Sequence, residues 1–96
     1  MTLVIEYDNQ PLKFLKKLDK NDVNRILDKI DQTLPNNPVP HNAKSIVNQH
    51  NCFRIRIGDY RVLYRVNYQD KKIVIFKIDL IVIPQGLALG TKKALS

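Results

Sequence analysis

The chain contains very little cysteine, which limits what can hold its fold together. Cys52 is the one cysteine among 96 residues, so neither an internal disulfide nor a cysteine-rich zinc site can form within one chain. His41 and His50 have no ligating partner at a suitable spacing, so we expect no metal and no cofactor. Such sparing use of cysteine is typical of a reducing compartment, and we predict a cytoplasmic protein.

Acidic residues and long apolar runs are also scarce. No stretch approaches the roughly 20 apolar residues that a membrane-spanning helix needs, so we expect no membrane association. The chain has 16 Lys and Arg residues but only 9 Asp and Glu residues, which gives a net charge of +7. This length favours a single domain over residues 1–96. So small and so basic a domain is expected to bind a polyanion, an acidic protein, or both.

The order of the apolar patterns predicts one strand, two helices and then three strands. Residues 3–7 predict a strand, and Asp8 or Asn9 is expected to cap the first helix. Asn21 or Asp22 is expected to cap the second helix, which Pro35 ends. We predict a loop over residues 35–51 with a short extended piece at 45–47. Strands are predicted over residues 52–57, 60–68 and 72–83.

Four arginines fall inside one predicted hairpin, with the sequence FRIRIGDYRVLYRV from Phe53 to Val66. A type II′ turn at Gly58 and Asp59 fixes the register, with Ile57 opposite Tyr60. A one-residue slip would exchange the two faces, so the apolar residues enforce this register. One face is then apolar, and the other carries Arg54, Arg56, Arg61 and Arg65, with Leu63 among them.

A solvated surface kept soluble by charge is the plain explanation of such a face. Three observations favour a bound anion instead. The charged residues are all arginines, no acidic residue of these two strands faces them, and Arg56 lies opposite Arg61. Like charges opposite each other in a sheet are destabilising until a counter-charge arrives. Because guanidinium groups match phosphate geometry and stack on bases, this pattern favours RNA.

The motif R-x-R-x-G-x-Y-R-V-x-Y-x-V, which here runs from Arg54 to Val66, resembles the RelE/ParE superfamily of toxins. With the strand, the two helices and the Pro-rich loop before it, the resemblance covers residues 2 to 79. It implies an α+β fold: a small, mostly antiparallel sheet packed against an N-terminal antiparallel two-helix hairpin. It also implies a type II toxin–antitoxin module with a cognate acidic, RelB-like antitoxin as partner.

The same resemblance implies an activity and a site. RelE-like members are metal-independent endoribonucleases (mRNA interferases) that cleave mRNA on the ribosome and so inhibit translation, and ParE-like members inhibit DNA gyrase. In the former, the RNA 2′-hydroxyl attacks the adjacent phosphate while basic side chains hold it. By position, Arg54, Arg56 and Arg61 match the catalytic basic residues. Lys44 and Arg65 are assigned to RNA-backbone contacts.

The last residues depart from the family pattern. RelE-type relatives follow the last strand with an arginine or histidine and then a tyrosine, and these positions fall near Ile83 and Leu89. Residues 80–96 contain no Arg, His, Tyr or Phe. Three alternatives to mRNA cleavage therefore stay open: gyrase inhibition, a degenerate toxin that only binds its antitoxin, and a plain RNA-binding module.

Overall fold

Alternating apolar residues in the second half of the chain form three antiparallel strands, and the amphipathic segments before them cover one face. The structure is a computed structural model that describes residues 2–81. Its elements are β1 (Val4–Tyr7), α1 (Asn9–Leu15), α2 (Lys20–Thr33), β2 (Lys44–Ser45), β3 (Cys52–Ile57), β4 (Tyr60–Asn67) and β5 (Lys72–Leu80). The five strands form one sheet in the order β1-β5-β4-β3-β2. β1 runs parallel to β5 and the other pairs are antiparallel, which confirms the predicted α+β class and mostly antiparallel sheet.

The core lies between the two helices and one face of the sheet. Ile26, Ile30 and Leu34 recur along one side of α2 and its C-terminal cap, and none of them is exposed to solvent. They pack with Leu15 of α1 and with the inward residues of β3, β4 and β5. No helix within residues 2–81 is long and apolar enough to cross a membrane. Burial of this apolar set is the main stabilising contribution, as expected for a domain without cross-links.

The helix starts differ in part from expectation. Asp8 occupies the N-cap position of α1, as predicted, although its side chain makes no capping hydrogen bond. The predicted cap of α2 at Asn21 or Asp22 is wrong, because α2 begins earlier and Asp19 is its N-cap residue. The Asp19 carboxylate accepts a hydrogen bond from the Asp22 backbone N–H at 2.9 Å. Asp22 is thereby free to accept a hydrogen bond from the Tyr60 hydroxyl at 2.9 Å.

The arginine-rich hairpin has the predicted register. Ile57 pairs with Tyr60, Arg56 with Arg61, and Phe53 with Tyr64. Gly58 has a φ of 60° and Asp59 does not have a positive φ, which fits a type II′ turn and not a type I′ turn. β3 has the predicted bounds, β4 ends one residue earlier than predicted, and the extended piece in the loop is Lys44–Ser45. Of the predicted strand 72–83, residues 72–80 are confirmed and residues 82–83 lie outside the described residues.

Two features of β5 were not predicted. A register shift between Leu63 and Tyr64 places Lys77 opposite Leu63 and Ile75 opposite Tyr64, so Phe76 is the extra residue of a bulge. Beyond the end of β1, the side-chain amide of Gln10 replaces a neighbouring strand. Its Nε2 donates to the Ile78 carbonyl and its Oε1 accepts from the Ile78 N–H, both at 2.9 Å. One side chain thus satisfies both backbone groups of a residue that β1 does not reach.

Candidate functional site

A concave basic surface lies on the sheet face opposite the helices. Its volume is about 270 Å³, and Lys44, Arg54, Arg56 and Arg61 line it together with Asn42, Ile55 and Ile81. We call it the basic cavity. All four cationic residues are exposed. The structure therefore brings together the three arginines assigned to catalysis and one of the two residues assigned to RNA-backbone contacts.

Three adjacent strands position these side chains. Lys44 of β2 pairs with Arg54 of β3, and Arg56 of β3 pairs with Arg61 of β4. Their neighbours along β3 and β4 point to the core, where Ile55 is 4% exposed and Val62 is fully buried. Because strand residues alternate between faces, burial of the apolar set forces the cations to converge.

Two of the arginines have restraining contacts. Arg56 Nε donates to the Gly58 carbonyl at 2.8 Å, which ties this guanidinium to the hairpin turn. Arg61 Nε lies 3.3 Å from Asp79 Oδ1, and Lys77 Nζ lies 3.9 Å from Asp79 Oδ2. Within residues 2–81, Arg54 and Lys44 take part in no ion pair. Among the described residues, the cavity thus contains three cations without a carboxylate partner, Lys44, Arg54 and Arg56, and one arginine, Arg61, that already has one.

Asp79 is a residue beside the candidate site that the sequence reasoning missed. The observation that no acid of β3 or β4 faces the arginines is correct, but Asp79 belongs to β5 and pairs with Arg61 across the sheet. Its position depends on the β4–β5 register. Asp79 follows Lys77 by two residues, a spacing that places both side chains on one face of a strand. The bulge at Phe76 reverses the alternation before Lys77, so the earlier residues of β5 do not indicate which face that is.

Arg65 lies apart from the basic cavity. It lines a second concavity of about 300 Å³, at the end of β4 away from the Gly58 turn, with His50, Asn51 and Tyr68 among the other lining residues. We call it the hairpin-end cavity. The five residues assigned from sequence therefore divide into a group of four and Arg65 alone.

Tyrosines near the site belong to the core and not to its chemistry. Tyr64 is fully buried, and its hydroxyl donates to the Pro38 carbonyl at 2.6 Å. Burial raises the pKa of Tyr64, and the hydrogen bond to Asp22 raises the pKa of Tyr60. Both phenols therefore stay protonated at neutral pH. Their hydrogen-bond partners, Asp22 and the Pro38 carbonyl, do not line the basic cavity.

The chemistry available in the basic cavity is electrostatic. Guanidinium groups stay protonated in proteins and present several N–H donors in a plane, which suits phosphate oxygens. No group of three or more potential metal ligands occurs among residues 2–81. The predicted positions near Ile83 and Leu89 lie outside the described residues. The described side chains can hold a phosphodiester and stabilise added negative charge on it.

Comparison with known proteins identifies relatives over most of the chain. Residues 5–79 match the family profile described as ParE toxin of type II toxin–antitoxin system, parDE. A protein of Methanocaldococcus jannaschii that carries the name RelE1 toxin is 33% identical over 81 residues. That match covers 81% of this chain and 89% of the relative.

Solved structures share the fold. RelE in the archaeal RelE–RelB complex from Pyrococcus horikoshii OT3 is 32% identical, with a TM-score of 0.75, and the match covers 88% of this chain and all of that one. The isolated E. coli RelE toxin has a TM-score of 0.78 at 17% identity, covering 92% of this chain and 94% of that one. At 17% identity, the similarity to the E. coli protein shows a shared fold.

Proposed function

This chain belongs to the family of ParE toxins from type II toxin–antitoxin systems and is a RelE-like toxin; from this premise we propose that it cleaves mRNA on the translating ribosome. The observation that carries the proposal is the basic cavity. Lys44, Arg54, Arg56 and Arg61 converge on one concavity of about 270 Å³. Among residues 2–81, no carboxylate side chain lines it. Such a site attracts a phosphodiester strongly.

The reaction that fits these side chains is internal transfer at phosphorus. The RNA 2′-oxygen forms a bond to the adjacent phosphorus while the bond from phosphorus to the 5′-oxygen breaks, which leaves a 2′,3′-cyclic phosphate and a 5′-hydroxyl. The 2′-hydroxyl loses a proton and the leaving 5′-oxygen gains one. Arg54, Arg56 and Arg61 bind the phosphate oxygens and stabilise the extra charge of the transition state.

The arginines do not act as the base in this scheme. A guanidinium with a pKa above about 12 does not accept a proton from the 2′-hydroxyl near neutral pH. Their contribution is to position the phosphate and to lower the energy of charge that develops on it. Lys44, which pairs with Arg54 across the β2–β3 ladder, contacts the RNA backbone beside the scissile phosphate. No metal ion or small-molecule cofactor takes part.

The proposed partner is a cognate acidic antitoxin of the RelB type. RelE proteins of Pyrococcus horikoshii and Methanococcus jannaschii were solved in complex with RelB antitoxins. This chain offers the complementary charge, with a net +7. An acidic antitoxin bound along the basic cavity would neutralise the same arginines that RNA requires.

Gyrase inhibition is the second candidate function, and two observations favour it. The matching family is described by its ParE toxins. Residues 80–96 lack the arginine, histidine and tyrosine that follow the last strand in RelE-type sequences. A toxin without those groups could use the arginine face for binding alone.

Primer extension on mRNA in a purified translation system tests the proposal. Wild-type protein should produce cuts within ribosome-covered codons. Arg61→Ala should reduce the cleavage rate by roughly 10²- to 10³-fold, the usual cost of removing one transition-state donor. Lys13→Ala is the matched control, because Lys13 is an exposed cation of α1 that does not line the basic cavity.

The outcomes separate the two candidates. Ribosome-dependent cuts that Arg61→Ala strongly reduces and Lys13→Ala retains would support mRNA cleavage. Equal cutting by wild type and Arg61→Ala would remove the basic cavity from the mechanism. No cuts, together with inhibition of DNA supercoiling by purified gyrase, would favour the second candidate.

A further inference from the structure

The hairpin-end cavity has no role in the reaction described above. Its volume of about 300 Å³ lies at the lower end of the range for small-ligand sites, about 300–1,000 Å³. Arg65, which lines it, lies on the same face of β4 as Arg61. Arg65 follows Arg61 by four residues, a separation of roughly 13 Å along an extended strand.

One wall of this cavity is a tightly folded loop between β2 and β3. Asn48 and Asn51 have positive φ angles of 65° and 56°. The Ile46 N–H donates to the Cys52 carbonyl and the Val66 N–H donates to the Asn51 carbonyl, both at 2.9 Å. These backbone bonds fix the segment that presents His50 next to Arg65, so the wall exists before a ligand binds.

The opposite wall is the turn between β4 and β5. The Asp70 N–H donates to Asn67 Oδ1 at 2.9 Å, and Asn67 Nδ2 donates to Asp70 Oδ2 at 3.1 Å. This pair closes the turn that carries Tyr68. It also gives the nearest carboxylate in the sequence, that of Asp70, a partner of its own.

The side chains of the cavity combine an open aromatic ring with a cation. Tyr68 is 51% exposed, unlike Tyr60 and Tyr64, which are buried in the core. Arg65 and His50 are exposed as well, and within residues 2–81 Arg65 takes part in no ion pair. Single-stranded nucleic acid is bound by this combination: bases stack on aromatic rings while cations contact the phosphates.

We propose that the hairpin-end cavity is a nucleotide subsite for the same single-stranded RNA whose scissile phosphate occupies the basic cavity. A base stacks on Tyr68, and Arg65 with His50 contacts its phosphate. The inference rests on the proposed function, because it requires RNA along β4. An acidic peptide could also contact Arg65 and the Tyr68 ring, but a single-stranded RNA bound along β4 would reach both cavities, so RNA is the favoured ligand.

Equilibrium binding of fluorescent oligouridylates of increasing length to the full chain tests this subsite. For oligomers long enough to reach both cavities, Tyr68→Ala should weaken binding by about 5- to 100-fold, the range for loss of one stacked base. Tyr68→Phe keeps the stacking ring and should bind as wild type. For the shortest oligomers that bind, Tyr68→Ala should have no effect.

The salt dependence separates stacking from charge. Arg65→Ala should reduce the slope of log K against log salt by about 0.7, as expected for one lost phosphate contact on a single strand. Tyr68→Ala should leave that slope unchanged. An equal effect of Tyr68→Ala and Tyr68→Phe would contradict stacking and overturn the assignment of this ring.

Other outcomes distinguish this inference from its premise. Wild-type affinity in Tyr68→Ala, with weakened binding in Arg61→Ala, would overturn the subsite and leave the proposed function intact. Absence of binding of every oligomer by the wild-type chain would overturn the subsite, and the primer-extension assay in the translation system decides the proposed function independently. Weaker binding of an acidic antitoxin by Tyr68→Ala, with RNA affinity retained, would reassign the cavity to a protein partner.

Discussion

The two faces of the sheet differ in burial and in charge, although the same strands supply both. On the face that the helices cover, Val62, Tyr64 and Ile78 are fully buried and the hydroxyl of Tyr64 has a hydrogen-bond partner. On the open face, Arg56 and Arg61 lie directly opposite each other and both stay exposed. The covered face provides the stability and the register. The open face can therefore carry positive charges that repel one another.

The largest expected effect comes from breaking the covered face. Tyr64→Ala removes a fully buried ring, and we expect it to lower the free energy of unfolding by about 3–5 kcal/mol. Urea denaturation would measure the change. Arg65→Ala, the next residue on the open face, should change the same quantity by no more than about 0.5 kcal/mol. Comparable losses in the two variants would show that the open face also stabilises the fold.

The second test concerns the contact between Arg61 and Asp79 on the open face. Asp79→Asn removes the carboxylate that lies 3.3 Å from Arg61, so Arg61 no longer has an internal competitor for phosphate. We expect affinity for single-stranded RNA to rise by roughly 2- to 5-fold, because an exposed pair of this kind contributes about 0.2–1 kcal/mol. Binding titrations at low and high salt would measure it, and the gain should shrink at high salt.

Asp28→Asn is the matched control for that variant. Asp28 lies on α2, away from the open face, and its loss changes the net charge by the same amount. An equal gain in affinity for Asp28→Asn and Asp79→Asn would mean that overall charge, not the Arg61–Asp79 contact, sets the affinity.

The smallest expected effect concerns a buried hydroxyl on the covered face. The Tyr7 hydroxyl is buried and has no hydrogen-bond partner among residues 2–81. Burial, with a smaller effect of Asp31, raises the pKa of Tyr7 from 10.0 to about 12. The folded state therefore holds this proton more tightly than the unfolded state. The resulting stability is complete below pH 10 and is lost as the pH rises toward 12.

Tyr7→Phe should remove part of this alkaline loss. At neutral pH it should be neutral or stabilising by up to about 1 kcal/mol, because it deletes an unsatisfied buried group. Denaturation curves across the alkaline range would measure both effects, with Tyr68→Phe at an exposed position as control. A large loss of stability at neutral pH in Tyr7→Phe would indicate that the hydroxyl has a partner.

The predictable part of the fold is what local pattern and turn chemistry determine. Alternation in β3 and β4, with Gly58 at the turn, determines the arginine pairing. The convergence of Arg54, Arg56 and Arg61 follows from it. The periodicity of α2 likewise identifies Ile26 and Ile30 as core residues.

The remainder depends on contacts between distant segments. The parallel pairing of β1 with β5 and the bulge at Phe76 are not encoded in a local pattern, so the position of Asp79 opposite Arg61 could not be derived. Arg65 lies roughly 13 Å along β4 from Arg61, but the loop that shapes the hairpin-end cavity beside it, with positive φ angles at Asn48 and Asn51, was not predicted. Asp19, and not Asn21 or Asp22, is the N-cap residue of α2. Several polar residues follow one another there, so the sequence alone does not single out one of them as the cap.

The bond between Gln10 and Ile78 also bears on when this toxin becomes competent during its synthesis. β1 and Gln10 are made first, yet their partners lie in β5, the last strand described. Until residue 78 has left the ribosomal exit tunnel, the first strand has no neighbour and the sheet cannot close. Arg61 meets its β5 neighbours at the same late stage. The nascent chain thus completes the sheet that supports its arginines only after residue 78 has emerged.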